Sequence, residues 1–528
     1  MKNSNAIFQV IIVVIGAVLA LTMGLQVGTQ DYRTLLIWFA IGGVGLYLLR
    51  GYHYSWQLIL LVSFLGFSMR PLGFEISSSH ISFLFGIGLA VVTLFRPTMG
   101  GGRVLLGSGI TLIQVICFVW IAYGGLHFLF NHFSPVYPGQ WALRNAITRY
   151  FIAFSGPCLL LWFTLFPKGI DLGKNWLKVV FYCMAFALGV NVLVRLVLMF
   201  GFGLEMSGDR GQFYAQEGLI YIPMINLIPG VEVLRGLGPL SAGLSYALLT
   251  HARWMRKQTI FTRLAVYATF GLGLFGSAFS GGRAALLLAI LFIMILSVLR
   301  RKFFHISLGI GLAVGLFIFA NLSSHWVKYN APFALSRSLQ HLLIDRGGAA
   351  SSSIDSSTSW RSELFERGIK EWSEDTRIFW TGRATMVFDV GDSNIQKTMG
   401  GFEAGIESAL RRGATHNMIT DVLIQYGLIG IILYLALILA IIRFLVKVRG
   451  KVRGDLDLEV FCNFGLIYYV GMLVYKSVGG SFYSVFELWF IVIIVIAVRS
   501  KALLETSKAR TPKPVTRRVI GSRLPQTV

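Results

Sequence analysis

Charge is what this sequence is short of. Only 13% of its 528 residues are Asp, Glu, Lys or Arg, about half the share of a soluble domain. That shortage excludes an ordinary soluble fold for a chain of this length. Cysteine is scarce as well. Cys117, Cys158, Cys183 and Cys462 all fall inside apolar runs. No disulfide framework or metal-ligand spacing is available, and the thiols read as small buried hydrophobes. What the chain has instead is apolar surface: 55% hydrophobic residues and 14% aromatic ones. Runs of about 20 apolar residues, each long enough to cross a bilayer, recur along its length. The sequence therefore predicts a polytopic, all-α membrane protein.

About fourteen spans (12–14) are expected, near 6–26, 34–49, 56–70, 81–95, 104–130, 149–166, 177–202, 238–250, 261–280, 284–299, 306–322, 418–442, 460–480 and 482–498. The first run has only Lys2 before it and no small-residue cleavage site after it. It reads as a retained span and not a signal peptide. Four regions are expected: a bundle over 1–322, a large loop over 323–417, further spans over 418–498 and a basic tail over 499–528.

A net charge of +23 invites a nucleic-acid reading, but its location argues otherwise. The tail from Arg499 onward carries Arg499, Lys501, Lys508, Arg510, Lys513, Arg517, Arg518 and Arg523 against Glu505 alone. Further basic clusters lie at 251–257, 300–302 and 443–453. All sit between apolar runs, which is the pattern of cytoplasmic loops, and anionic lipid accounts for them without nucleic acid. With the tail in the cytoplasm, stepping backwards places every basic linker inside and both termini inside. The other side receives loops 203–237 and 323–417. The second of these balances eleven basic residues against eleven acidic ones. Neither loop holds an Asp-x-Asp or a cluster of carboxylates that resembles a metal site, so no metal and no other cofactor are expected.

Within the large loop, "ASSSIDSSTS" (350–359) reads as flexible and polar. It precedes "WRSELFERGIKEWSED" (360–375), in which Trp360, Leu364, Phe365, Ile369 and Trp372 recur at three- and four-residue steps. That spacing predicts an amphipathic helix over the outer face of the membrane. The loop is then a small folded cap.

Arginines in or beside spans are costly and informative. Arg195 lies in "NVLVRLVLMF", Arg235 in "VLRGLGPLSAG" and Arg283 in "SAFSGGRAALLLA". The expected topology puts Arg235, Arg283 and His416 on one side at similar depth. A guanidinium holds phosphate oxygens through a planar fork and stays charged in any surroundings. Each arginine also has a plainer reading as an interfacial anchor. Lys476 and Glu487 read as a structural pair. His416 alone is equally a cap or interface residue.

Taken together these stretches resemble the O-antigen ligase and polymerase superfamily of bacterial envelope glycosyltransferases. The resemblance rests on "RGLGPLSAG" (235–243), "SGGRAALL" (280–287), "SWRSELFERGIKEW" (359–372) and "THNMITDVLIQYGLIG" (415–430), in the family's order. The chain departs from the family at Gln425, where a glutamate is usual, and in lacking Asn-Pro in the first motif. The resemblance implies a GT-C-like helical protein with a large helical periplasmic loop in the bacterial inner membrane. It implies inverting, metal-independent transfer of glycan from an undecaprenyl-diphosphate-linked donor to a sugar hydroxyl. His416, Arg283 and Arg235 would be catalytic. Arg361, Arg195, Asn417 and Arg210 (in "SGDRGQF") would bind substrate, although Asn417 equally suits a helix cap and Arg361 and Arg195 suit structural roles. A neutral histidine with an ordinary pKa of about 6.5 can accept a hydroxyl proton. Repeat-unit polymerase and ligase to lipid A-core both fit, the first with a chain-length regulator as a possible partner. A transporter would place charges at midplane in two repeated halves, and neither is seen.

Overall fold

In a bilayer every backbone polar group must be satisfied within the chain, so the apolar runs form helices. The computed structural model describes residues 52–66, 76–95, 108–132, 140–166, 172–197, 233–280, 283–383, 417–451, 455–479 and 489–500, with short strands and single positions between them. The expected spans at 6–26 and 34–49, Arg210, His416, Glu487 and the tail beyond residue 500 lie outside the described residues.

In chain order the elements are α1 (Tyr52–Leu65), β1 (Ser68–Met69), β2 (Ile76–Ser77), α2 (Ser78–Phe95), α3 (Ser108–His132), α4 (Gln140–Leu165) and α5 (Trp176–Leu196). After β3 (Tyr221–Ile222) and β4 (Ile225–Ile228) come α6 (Leu234–Leu249), α7 (Ala252–Arg256), α8 (Ile260–Phe279), α9 (Arg283–Leu299) and α10 (Phe303–Leu322). The large loop supplies α11 (Ser324–Tyr329), α12 (Phe333–Leu339), α13 (Ala349–Glu374) and α14 (Thr376–Thr381). Then follow α15 (Met418–Lys451), α16 (Leu456–Gly479) and α17 (Trp489–Ser500). Among the described residues five helices are long and apolar enough to cross a membrane: those spanning Ile110–Phe130, Trp176–Leu196, Ile260–Phe279, Met418–Lys451 and Leu456–Ser477. Six shorter apolar helices accompany them.

Three features were not expected from the sequence. A small antiparallel sheet runs in the order β2-β1-β4-β3. Ser68 stands opposite Ser77 and Ile228, and Ile222 opposite Ile225. The sheet ties the link between α1 and α2 to the 203–237 loop. Secondly, 350–359 is helical, because α13 begins at Ala349 and runs through the serine-rich stretch. Thirdly, α15 is two helices joined at Gly427, whose φ of 65° breaks the helical path.

The core is apolar and aromatic, with Trp56, Trp120, Trp254 and Trp489 fully buried. Close backbone packing joins α6 to α8. A Cβ on Gly238 would come within 2.8 Å of the Ser277 nitrogen, and one on Gly273 within 2.7 Å of the Ala242 nitrogen. Small residues let membrane helices approach this closely. The linkers gather at two ends of the bundle. At one end Glu459 pairs with Arg300 (3.0 Å) and His251 (3.4 Å), and Trp254 Nε1 donates to Asp457 at 2.7 Å. The sheet and the large loop occupy the other end, in the alternation read from the sequence.

Candidate functional site

The site begins at the C-terminal end of α8. The last carbonyls of a helix have no partner within it and carry the negative end of its dipole. Three side chains from elsewhere meet them. Arg195 Nε donates to the Phe279 carbonyl at 3.4 Å, and Arg235 Nε to the Ser280 carbonyl at 3.5 Å. Ser338 Oγ, from α12 in the large loop, donates to the Ala278 carbonyl at 2.9 Å. Arg195 is 3% exposed, whereas Arg235 is half-buried. Arg195 thus meets the end of α8 from inside the bundle. Arg283 is the first residue of α9, three positions after Ser280, and so stands at the same end of the bundle.

α13 brings Arg361 to this place. Burial pushes the Arg361 guanidinium below its ordinary pKa, Tyr475 of α16 opposes the shift, and the like charge of Arg235 adds to it. Arg235 and Tyr475 therefore both lie within electrostatic reach of Arg361. Two other loop arginines are neutralised. Arg367 pairs with Glu363 (2.6 Å) and Glu403 (2.9 Å), and Arg383 pairs with Glu371. Arg361 has no carboxylate partner among the described residues. Two half-buried guanidiniums side by side repel each other and favour an anion between them.

The start of α15 joins the same group. Asn417 Oδ1 accepts from the Ile419 and Thr420 amides at 2.9 and 3.3 Å, which caps the helix. Its amide nitrogen donates to the Ser477 carbonyl at 2.7 Å, two residues beyond Tyr475. Asn417 is thus the helix cap that its alternative reading described, and it also ties α15 to α16. Before it, Thr415 donates to Asp421 Oδ1 from both its amide (2.6 Å) and its hydroxyl (2.7 Å).

The large loop does not only lie over the bundle. α13 buries Leu364 with Ile406, Leu410 and Ile424, flanked by Trp360 and Trp372. Segment 380–383 then enters the break in α15. A Cβ on Gly382 or Gly427 would lie 2.4 Å from backbone of the other strand of this crossing. The carbonyls that the break releases are met individually. Arg383 N donates to the Ile424 carbonyl at 2.8 Å, and Tyr123 Oη bridges the carbonyls of Tyr426 (2.6 Å) and Thr381 (3.2 Å). Irregular backbone at this depth survives only when satisfied by protein in this way.

Sequence reasoning missed Asp421, Tyr475 and Tyr123. The first carried a signal, since an ionisable residue inside an apolar run is informative by default. The other two are aromatic residues among many, and nothing local singles them out.

Residues 265–435 match the family model described as O-Antigen ligase. Over this stretch, about a third of its length, the chain is similar to that family. The matched stretch runs from α8 through the large loop to the middle of α15. It includes Arg283, Arg361, His416 and Asn417, while Arg195, Arg210 and Arg235 precede it. Comparison with curated proteins gives no match.

Proposed function

We propose that this protein is a cell-envelope polysaccharide polymerase of the bacterial inner membrane. It moves glycan from an undecaprenyl-diphosphate-linked donor to the hydroxyl of an acceptor sugar. The observation that carries this reading is the convergence of Arg235, Arg361 and Tyr475 beside the Asn417–Ser477 contact. These groups come from three distant parts of the chain. A diphosphate seated there meets two guanidiniums with planar forks. Their fixed charge stabilises the leaving group as negative charge develops on it, without a metal. Arg283, at the same end, is the third arginine of this set.

His416 directly precedes Asn417 and is the base. It takes the proton of the acceptor hydroxyl as that oxygen attacks the anomeric carbon from the face opposite the diphosphate, which inverts the anomer. In this reading the chain has 12–14 spans in a GT-C-like bundle, both termini in the cytoplasm, and the arginine-bearing end facing the periplasm. A chain-length regulator is its partner if it polymerises. Ligase transfer of finished glycan to lipid A-core is the second reading, and the match to the O-Antigen ligase family favours it.

The test is a transfer assay with purified protein, lipid-linked oligosaccharide and two acceptors, the oligosaccharide itself and lipid A-core. A ladder of lengthened lipid-linked glycan is expected. Product on lipid A-core alone would establish ligase instead, and no product with either acceptor would refute glycosyl transfer.

A further inference from the structure

We propose that the end of the bundle opposite the arginine-bearing site holds one anionic phospholipid, its phosphate seated on an unpaired edge of Arg300 beside Arg449. Arg300 directly follows α9, and its Nη1 reaches Glu459 Oε1 at 3.0 Å. The other edge of the same guanidinium carries Nε and Nη2, which donate side by side. Both atoms are buried, and neither has a hydrogen-bond partner. Buried donors without an acceptor are costly, and more so on a charged group. The carboxylates at the start of α16 are already engaged. Asp455 caps the helix through the Leu458 amide at 3.1 Å, and Asp457 accepts from Trp254 at 2.7 Å. Glu459, besides meeting Arg300, faces His251 Nε2 at 3.4 Å.

Arg449, near the end of α15, brings a second guanidinium to this corner. Its Nη2 donates at 3.4 Å to the carbonyl of Leu299, the residue just before Arg300. Burial pushes the Arg300 guanidinium below its ordinary pKa, Glu459 opposes the shift, and the like charge of Arg449 adds to it. Two guanidiniums thus stand against one carboxylate, which His251 shares. Arg301, Lys302 and Lys451 are exposed around them. An anion from outside the chain balances this excess, and the planar edge of Arg300 matches two oxygens of one phosphate. What lies beside the arginines favours a lipid over a soluble anion. Val298 and Val446, within a turn of Arg300 and Arg449 on the apolar helices α9 and α15, are exposed. In a bilayer acyl chains cover them, which brings a headgroup level with the two arginines. In the topology proposed above this is the cytoplasmic leaflet, where basic pockets between helices take anionic headgroups. The lipid ties α9 to α15 at this end.

The experiment titrates the purified full chain, in a neutral detergent, with phosphatidylglycerol, phosphatidylcholine or inorganic phosphate. Melting temperature and the lipid retained in native mass spectrometry are recorded. Wild type is expected to keep one phosphatidylglycerol and to melt higher with it, and to respond to neither of the others. Arg449→Ala should weaken phosphatidylglycerol binding roughly 10- to 100-fold, the worth of a hydrogen bond to a charged group. Arg300→Lys keeps a charge for Glu459 but lacks the planar edge. It should weaken binding likewise while melting as wild type does without lipid. Arg256→Ala removes the same charge from an exposed position on α7 and should leave binding unchanged. Equal losses in Arg256→Ala and Arg449→Ala would reduce the effect to the general attraction of basic loops for anionic lipid and overturn the site. Stabilisation by inorganic phosphate or phosphatidylcholine equal to that by phosphatidylglycerol would overturn the assignment to an anionic lipid. Full binding by Arg300→Lys would overturn the role of the Arg300 edge.

Discussion

Gly427→Ala perturbs the point where the large loop is locked into the membrane bundle. Gly427 has φ 65°, which costs an L-residue about 1–2 kcal/mol. A Cβ there would also lie 2.4 Å from the carbonyl carbon of Trp380, so backbone must move. Moving it breaks the Arg383–Ile424 bond and the Tyr123 bridge, each worth about 1 kcal/mol net. Together the loss is about 3–4 kcal/mol, which is roughly 100- to 1,000-fold in the opening equilibrium of this crossing. Hydrogen exchange of a peptide containing Arg383 reads that equilibrium directly and should accelerate by this factor in the variant. Gly450→Ala is the control, since nothing lies within 4 Å of a Cβ there. It should leave exchange unchanged. Exchange in Gly427→Ala within threefold of wild type would refute the interlock.

Arg361→Ala should weaken donor binding by roughly 10- to 100-fold, the worth of a charge-assisted hydrogen bond, and Arg361→Lys should recover only part of it; equal affinity in all three proteins would remove Arg361 from the site. Tyr123→Phe leaves the carbonyls of Tyr426 and Thr381 without their bridging hydroxyl, and should lower the melting temperature and loosen the loop, with unchanged melting and proteolysis as the contrary result. Cysteines placed at 350–375 should react with an impermeant thiol reagent added to intact spheroplasts, and cysteines at 301 should not; the reverse pattern would invert the topology.

Much of this architecture is legible in the sequence because the bilayer imposes a strong rule on it. A long apolar run has little choice but helix, and the basic linkers report which runs share an end. The face of α13 was legible for a similar reason, since Trp360, Leu364, Ile369 and Trp372 repeat at helical steps. Its first ten residues were not. Serine competes with the helical backbone for hydrogen bonds, and here the helix prevails despite it. Two-residue strands carry no period to read. The break at Gly427 is invisible for another reason: it is set by Gly382 and Tyr123, which are remote in sequence. The site was half legible. Its arginines announced themselves by their cost in a membrane, but their company did not. That Arg361 stands by Arg235 and Tyr475, while Arg367 and Arg383 are consumed by acids, depends on how α13 lies across the bundle.

The most direct measurement is transfer by purified protein in liposomes with lipid-linked oligosaccharide, comparing wild type with His416→Ala while donor binding is followed separately. General base catalysis is worth about 10²- to 10⁴-fold. The expected result is transfer reduced by at least 100-fold with donor affinity retained. Near-normal turnover in His416→Ala would contradict the assignment of the reaction to this end of the bundle.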